Sequence, residues 1–80
     1  MNLETYLLSK LSRASAKIYL FEIEHFINHL GEQKAEQANY QDIMEYLVWL
    51  RDTYDNPGTI HRILQAIKQY FFYLIGPEAH

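Results

Sequence analysis

The residues of this chain whose types and spacing could carry chemistry fall into two sets. One is a histidine pair, His25 and His29, four positions apart and therefore on one face of a helix. The other is a group of cations, hydroxyls and amides in two stretches: Arg13, Ser15 and Lys17 in the first, and Thr59, His61, Arg62, Gln65, Lys68 and Gln69 in the second. The histidine spacing would suit a helical metal pair, but there is no H-E-x-x-H context and no third ligand nearby. It reads instead as two partly exposed histidines on a polar helix face. The chain has no cysteine, which removes thiolate nucleophiles, thiolate metal sites and disulfides. Its three glycines, Gly31, Gly58 and Gly76, form neither a phosphate-binding loop nor a G-x-S-x-G elbow. The carboxylates are scattered on expected solvent faces and offer no acid–base pair. Most of the seven tyrosines, Tyr19 and Tyr54 among them, fall on apolar stripes and read as packing residues. No catalytic residue, metal or cofactor is expected.

The second set suits an anionic partner, although the formal net charge is −3. Distribution explains why the total misleads. From Thr5 to Phe21 there are three cations, Lys10, Arg13 and Lys17, and no acid. From Glu22 to Asp55 there are eight acids against Lys34 and Arg51. From Asn56 to Pro77, Arg62 and Lys68 again stand without an acid. Two mildly basic stretches around an acidic middle can put opposite signs on opposite faces of one fold.

The elements that must position these residues are helices. Eighty residues make one domain, which at this size buries only about 60% of its unfolded surface. No strand-like alternation is sustained, and apolar residues recur at helical spacing in four segments. The first, Leu3 to Leu11, carries Leu3, Tyr6, Leu7 and Leu11. The second, Arg13 to Leu30, follows the N-cap Ser12 and aligns Tyr19, Ile23, Phe26 and Leu30, widened by Ala16, Leu20 and Ile27. Gly31 stands where a left-handed C′ residue belongs. A polar connection, G-E-Q-K-A-E-Q-A, leads to Asn39 and a third helix, Tyr40 to Tyr54, with Ile43, Leu47, Leu50 and Tyr54 inward and Asp42 at N3. The fourth helix, Pro57 to Leu74, is capped by Asn56, starts with Pro57 at N1 and stops at Gly76-Pro77. Its core face is Ile60, Ile63, Leu64, Ile67, Phe71 and Leu74. Phe21, Trp49 and Phe72 fall outside the stripes. Trp49 reads as a second packing surface, Phe72 as a surface that docks another domain. No apolar run approaches the roughly 18 residues of a membrane span. The first residues, with Glu4 and no apolar run, do not read as a signal peptide, so the expected address is cytoplasmic.

The second and fourth helices open alike, S-R-A-S-A-K-I-Y and N-P-G-T-I-H-R-I: a cap, a small hydroxyl residue three later, a cation soon after. Either caps simply recur, as in any helical protein, or two helix N-termini point at one polyanion, where backbone N–H groups and the dipole favour phosphate.

With those residues placed, the chain resembles the N-terminal core-binding domain of tyrosine recombinases, the phage integrase and Xer-type family. Tyr6, Leu7, Ser15, Tyr19, Ile23 and Phe26 follow the family's first pattern, with Ser12 displaced by one place. Asp42, Ile43, Tyr46, Leu47 and Leu50 follow its D-I-x-x-Y-L-x-x-L. Thr59, Ile60, Arg62, Leu64, Ala66, Ile67, Lys68 and Phe71 to Leu74 follow its last helix. Ser15 stands where the family usually has Thr, and the middle is more acidic than in many members. The resemblance implies an all-α, compact four-helix orthogonal bundle of SAM-like fold spanning residues 1–80. It also implies that the family's catalytic residues, including the tyrosine nucleophile, belong to a C-terminal domain absent from this chain. No tyrosine here inherits that role.

The implied function is a DNA-binding module that sits on one side of a recombination-site duplex, its second and fourth helices facing the DNA. Arg13, Lys17, Arg62 and Lys68 are then the expected phosphate contacts, with Ser15 and Thr59 assisting. His61, Gln65 and Gln69 are candidates for base edges, since Gln can pair with adenine in the major groove. The implied partners are double-stranded DNA, the C-terminal catalytic domain of the full-length protein and the other protomers of a synaptic tetramer, with no membrane. The alternative is a helical protein-interaction adaptor, suggested by the acidic middle, Trp49 and Phe72.

Overall fold

Four of the helices begin where a side chain supplies an acceptor for their first free N–H groups. Asn2 accepts from Thr5 N at 2.8 Å and opens α1 (Leu3–Lys10). Ser12 accepts from Ser15 N at 3.2 Å and opens α2 (Arg13–Leu30). Asn39 accepts from Asp42 N at 2.9 Å while Asp42 accepts from Asn39 N at 3.2 Å, a reciprocal capping box that opens α4 (Tyr40–Thr53). Asn56 accepts from Gly58 N at 2.8 Å at the start of α5 (Pro57–Ile75). Between α2 and α4 lies a short α3 (Glu32–Glu36), which has no side-chain cap. The computed structural model describes residues 2–76, and among them there is no strand. Pro77, half of the expected stop signal, lies outside the described residues.

The all-α expectation holds, with one addition. The connection read as polar loop contains α3, whose only buried residue is Ala35. A single buried methyl gives no amphipathic period, so the pattern could not announce it. Gly31 joins α2 to α3 at φ 94° and ψ 147°, a positive φ but an extended ψ, rather than the left-handed helical value expected. That region belongs almost only to glycine, which lets the chain turn directly into the next helix.

Leu7, Ile23, Phe26 and Leu50 are the largest fully buried side chains, so α1, α2 and α4 meet in one core. Alpha-2 packs most extensively along α5 and α1. Phe26 is the hub. Its ring meets Tyr46 of α4 edge-on at 5.1 Å and Tyr70 and Phe71 of α5 at 6.3 and 6.2 Å. The expected α2 stripe is the core-facing one. Two buried rings fell outside the expected stripes, Tyr46 and Tyr70, and Leu74 is 38% exposed rather than core. The tyrosines lie one position from the aliphatic stripe and close gaps between helices that a stripe of Leu and Ile would leave.

Candidate nucleic-acid interface

Contacts along the α2–α5 seam run in the same order on both helices: Glu22 with Arg62, then Phe26 with Tyr70 and Phe71. The two N-termini therefore lie toward one end of the seam. Neither first turn holds an acid, and the acid nearest the start of α5 is Asp55, just before its cap. Lys17 of α2 and Arg62 of α5 line one groove, with Ile18, Phe21 and Glu22 completing its walls. Lys17 also lines a second groove, between α1 and α2, with Arg13, Leu8, Ala16, Leu20 and Glu4. Arg13, Lys17 and Arg62 thus form one band across the seam.

The other expected residues are not all in that band. Lys68 lies six residues, about 1.7 turns, beyond Arg62, its Nζ 5.7 Å from the centre of the Phe72 ring. His61 lines a different groove, between α4 and α5, with Arg51, Tyr54 and Asp55. Gln65 and Gln69 are half-buried. Ser15 and Thr59 are half-buried too. Ser15 shares a helical row with Tyr19, Glu22 and Phe26, and Thr59 shares one with Ile63, Ala66 and Tyr70. Both hydroxyl residues therefore edge the seam rather than the outward face.

Glu22 is the residue that sequence reasoning misplaced. It is 6% exposed, the buried charged residue of the seam, not a solvent-face acid. Its Oε2 lies 3.4 Å from Arg62 Nη2, which donates to it. The signal was present: Glu22 sits on the row of Tyr19 and Phe26, flanked by Ile23, so a helical wheel puts it at the core margin. The same carboxylate acts on Tyr46 through its charge. Burial, and after it the charge of Glu22 and then Tyr54, pushes the Tyr46 hydroxyl up to about 12. Tyr70 is also raised, chiefly by burial.

The sequence is matched across residues 2–80 by the model for the phage integrase N-terminal SAM-like domain. The chain belongs to that family. No curated protein and no solved structure matches it. The match is to an N-terminal domain, the part of an integrase that the sequence patterns indicated.

Elsewhere in this integrase domain, His25 and His29 do not face a common ligand. His25 packs on Phe21 at 4.5 Å, and His29 packs on Trp49 and Tyr46 at 4.6 and 5.0 Å. Among the described residues no group of three or more His, Cys, Asp or Glu could hold a metal. Trp49 stacks on Tyr46 at 5.6 Å with planes 18° apart, the packing role expected of it. Phe72 packs against the core beneath Lys68. The exposed large apolar residues include Tyr40, Met44, Val48 and Trp49 on α4, Leu74 and Ile75 at the end of α5, and Leu8, Ile18 and Phe21 in the walls of the two basic grooves. No helix among the described residues is long and apolar enough to cross a membrane.

Proposed function

We propose that this chain is the DNA-binding module of a site-specific tyrosine recombinase, gripping one side of a recombination-site duplex during DNA integration and recombination. The observation that carries the reading is the band of Arg13, Lys17 and Arg62, which two helices converge to form at one seam. Cations gathered along one seam suit phosphate contacts, and the first turns of α2 and α5 hold no acid to repel them. Lys68 extends the contact along α5, and Ser15 and Thr59 assist from the seam edge. His61, Gln65 and Gln69 are the residues left for base edges. With so few cations, binding by the domain is weak and strongly salt-dependent.

Residues 1–80 act as one domain of a cytoplasmic protein whose chemistry resides in a separate C-terminal catalytic domain. That domain and, in a synaptic tetramer, neighbouring protomers are its protein partners. The test is a low-salt titration of a recombination-site duplex against the chain and its Arg62→Ala/Lys68→Ala variant. Weaker binding by the variant is expected, and equal binding contradicts the proposed surface.

A second reading, a helical adaptor that binds protein, has one observation in its favour. Tyr40, Met44 and Val48 lie at successive turns of α4 and are 77%, 36% and 56% exposed. Duplex-induced chemical shifts confined to α4 and the C-terminal end would favour that reading.

A further inference from the structure

Glu22 is unusual for its place. Its side chain is 8% exposed, and among the described residues its ion-pair partner is Arg62, whose own side chain is 47% exposed. Burying a carboxylate is costly, and an apolar residue at a packing position is often at least as stabilising as a buried ion pair. Packing therefore does not explain an acid on the row of Tyr19 and Phe26. What the pair does accomplish is directional. A guanidinium carries five N–H donors in a planar fork, and one of its terminal nitrogens is turned inward to Glu22 at 3.4 Å. The contact draws that end of the guanidinium to the groove that Lys17, Ile18 and Phe21 complete.

We propose that Glu22 is a positioning residue for DNA binding: it holds the Arg62 guanidinium at the groove mouth so that the donors it leaves free face a phosphate beside Lys17. The inference rests on the duplex-binding reading above. Glu22 lies on the inner side of the guanidinium, so a phosphate on the outer side is nearer the cation than the carboxylate, and attraction outweighs repulsion. The order imposed on Arg62 in the free chain is also entropy that binding need not remove. Because Glu22 offsets its charge, Arg62 supplies geometry more than field, and lysine cannot replace it.

The experiment is a double-mutant cycle on the chain, read as duplex affinity by fluorescence anisotropy at low salt, with circular dichroism to verify folding. Arg62→Ala weakens binding. Glu22→Gln weakens it roughly three- to tenfold when Arg62 is present and has no effect when Arg62 is alanine. Arg62→Lys also weakens binding although the charge is kept. Affinity unchanged or increased in Glu22→Gln, or an equal loss in both backgrounds, overturns the proposal while leaving duplex binding intact. If Glu22→Gln does not fold, Arg62→Lys decides alone: loss supports the proposal and full retention overturns it. A wild-type chain that binds no duplex overturns the functional reading and this inference together.

Discussion

On the α2–α5 side of the molecule, Arg13, Lys17 and Arg62 form a band whose neighbouring acids are Glu22, buried and paired, and Glu4, at the far wall of the second groove. On the α4 side, Asp42, Glu45 and Asp52 stand on the same helix as exposed Tyr40, Met44 and Val48. The difference is one of placement, since a chain of net charge −3 still presents a cationic seam. It is also one of use. Asp42 serves the capping box of α4 and sits 3.9 Å from Lys34, and Glu22 serves Arg62. Acids that work inside the fold contribute little to its outward field. Net charge is therefore a poor guide to the partner of so small a domain, and the charge of each helix face is a better one.

The comparison breaks most completely at the residue both sides share. Phe26 is fully buried and touches Tyr46 of α4 and Tyr70 and Phe71 of α5. Phe26→Ala is expected to cost about 3–5 kcal/mol, a large part of the stability of so small a domain. Urea unfolding measures it, and a loss under 1 kcal/mol would mean that the two sides do not depend on that ring. Next in size is reversal of the seam charges. Arg13→Glu/Lys17→Glu should weaken duplex binding by at least roughly tenfold and flatten the dependence of log K on log salt by about two contacts' worth. The matching Glu45→Lys/Asp52→Lys change on α4 should not weaken it. Equal losses from both pairs would erase the contrast.

Much of this arrangement was legible in the sequence because it rests on local rules. Caps at Ser12, Asn39 and Asn56 and the proline at N1 of α5 mark where helices begin. The apolar period of α2 gives its buried face. What was not legible depends on tertiary contact. The short α3 has no period of its own. The interior places of Tyr46 and Tyr70 depend on how α4 and α5 cross α2. The convergence of Lys17 with Arg62 links residues 45 positions apart, so neither stretch alone could reveal it. Glu22 shows the same limit: its spacing placed it at the core margin, but its partner came from another helix. The split of the second set, with His61 in the α4–α5 groove and Arg62 in the groove with Lys17, likewise follows from where α4 packs.

Two smaller effects sharpen the α4 side. Asn39→Ala removes one half of the capping box and should cost about 1 kcal/mol, with duplex affinity unchanged once folded, as thermal unfolding and titration would check. At neutral pH the smallest effect is the ionisation of Tyr46. Its hydroxyl is raised from 10.0 to about 12 in the folded chain, so the native state holds its proton more tightly than the unfolded state does. That contribution is fully present below about pH 10 and is lost as pH climbs toward 12. Phenolate absorbance during an alkaline titration should show Tyr46 ionising well above 10.0, together with loss of near-ultraviolet dichroism. Ionisation near its ordinary value would contradict the packing of α4 on Phe26.

The central claim, that one seam and not the opposite face receives the duplex, is tested most directly by amide chemical-shift mapping of the chain titrated with a recombination-site duplex at low salt. The account predicts shifts at Arg13, Lys17, Arg62 and Lys68, spreading along the first turns of α2 and α5, with Tyr40, Met44, Glu45 and Val48 unmoved. Shifts concentrated on those α4 residues, with the α2–α5 band silent, would contradict it.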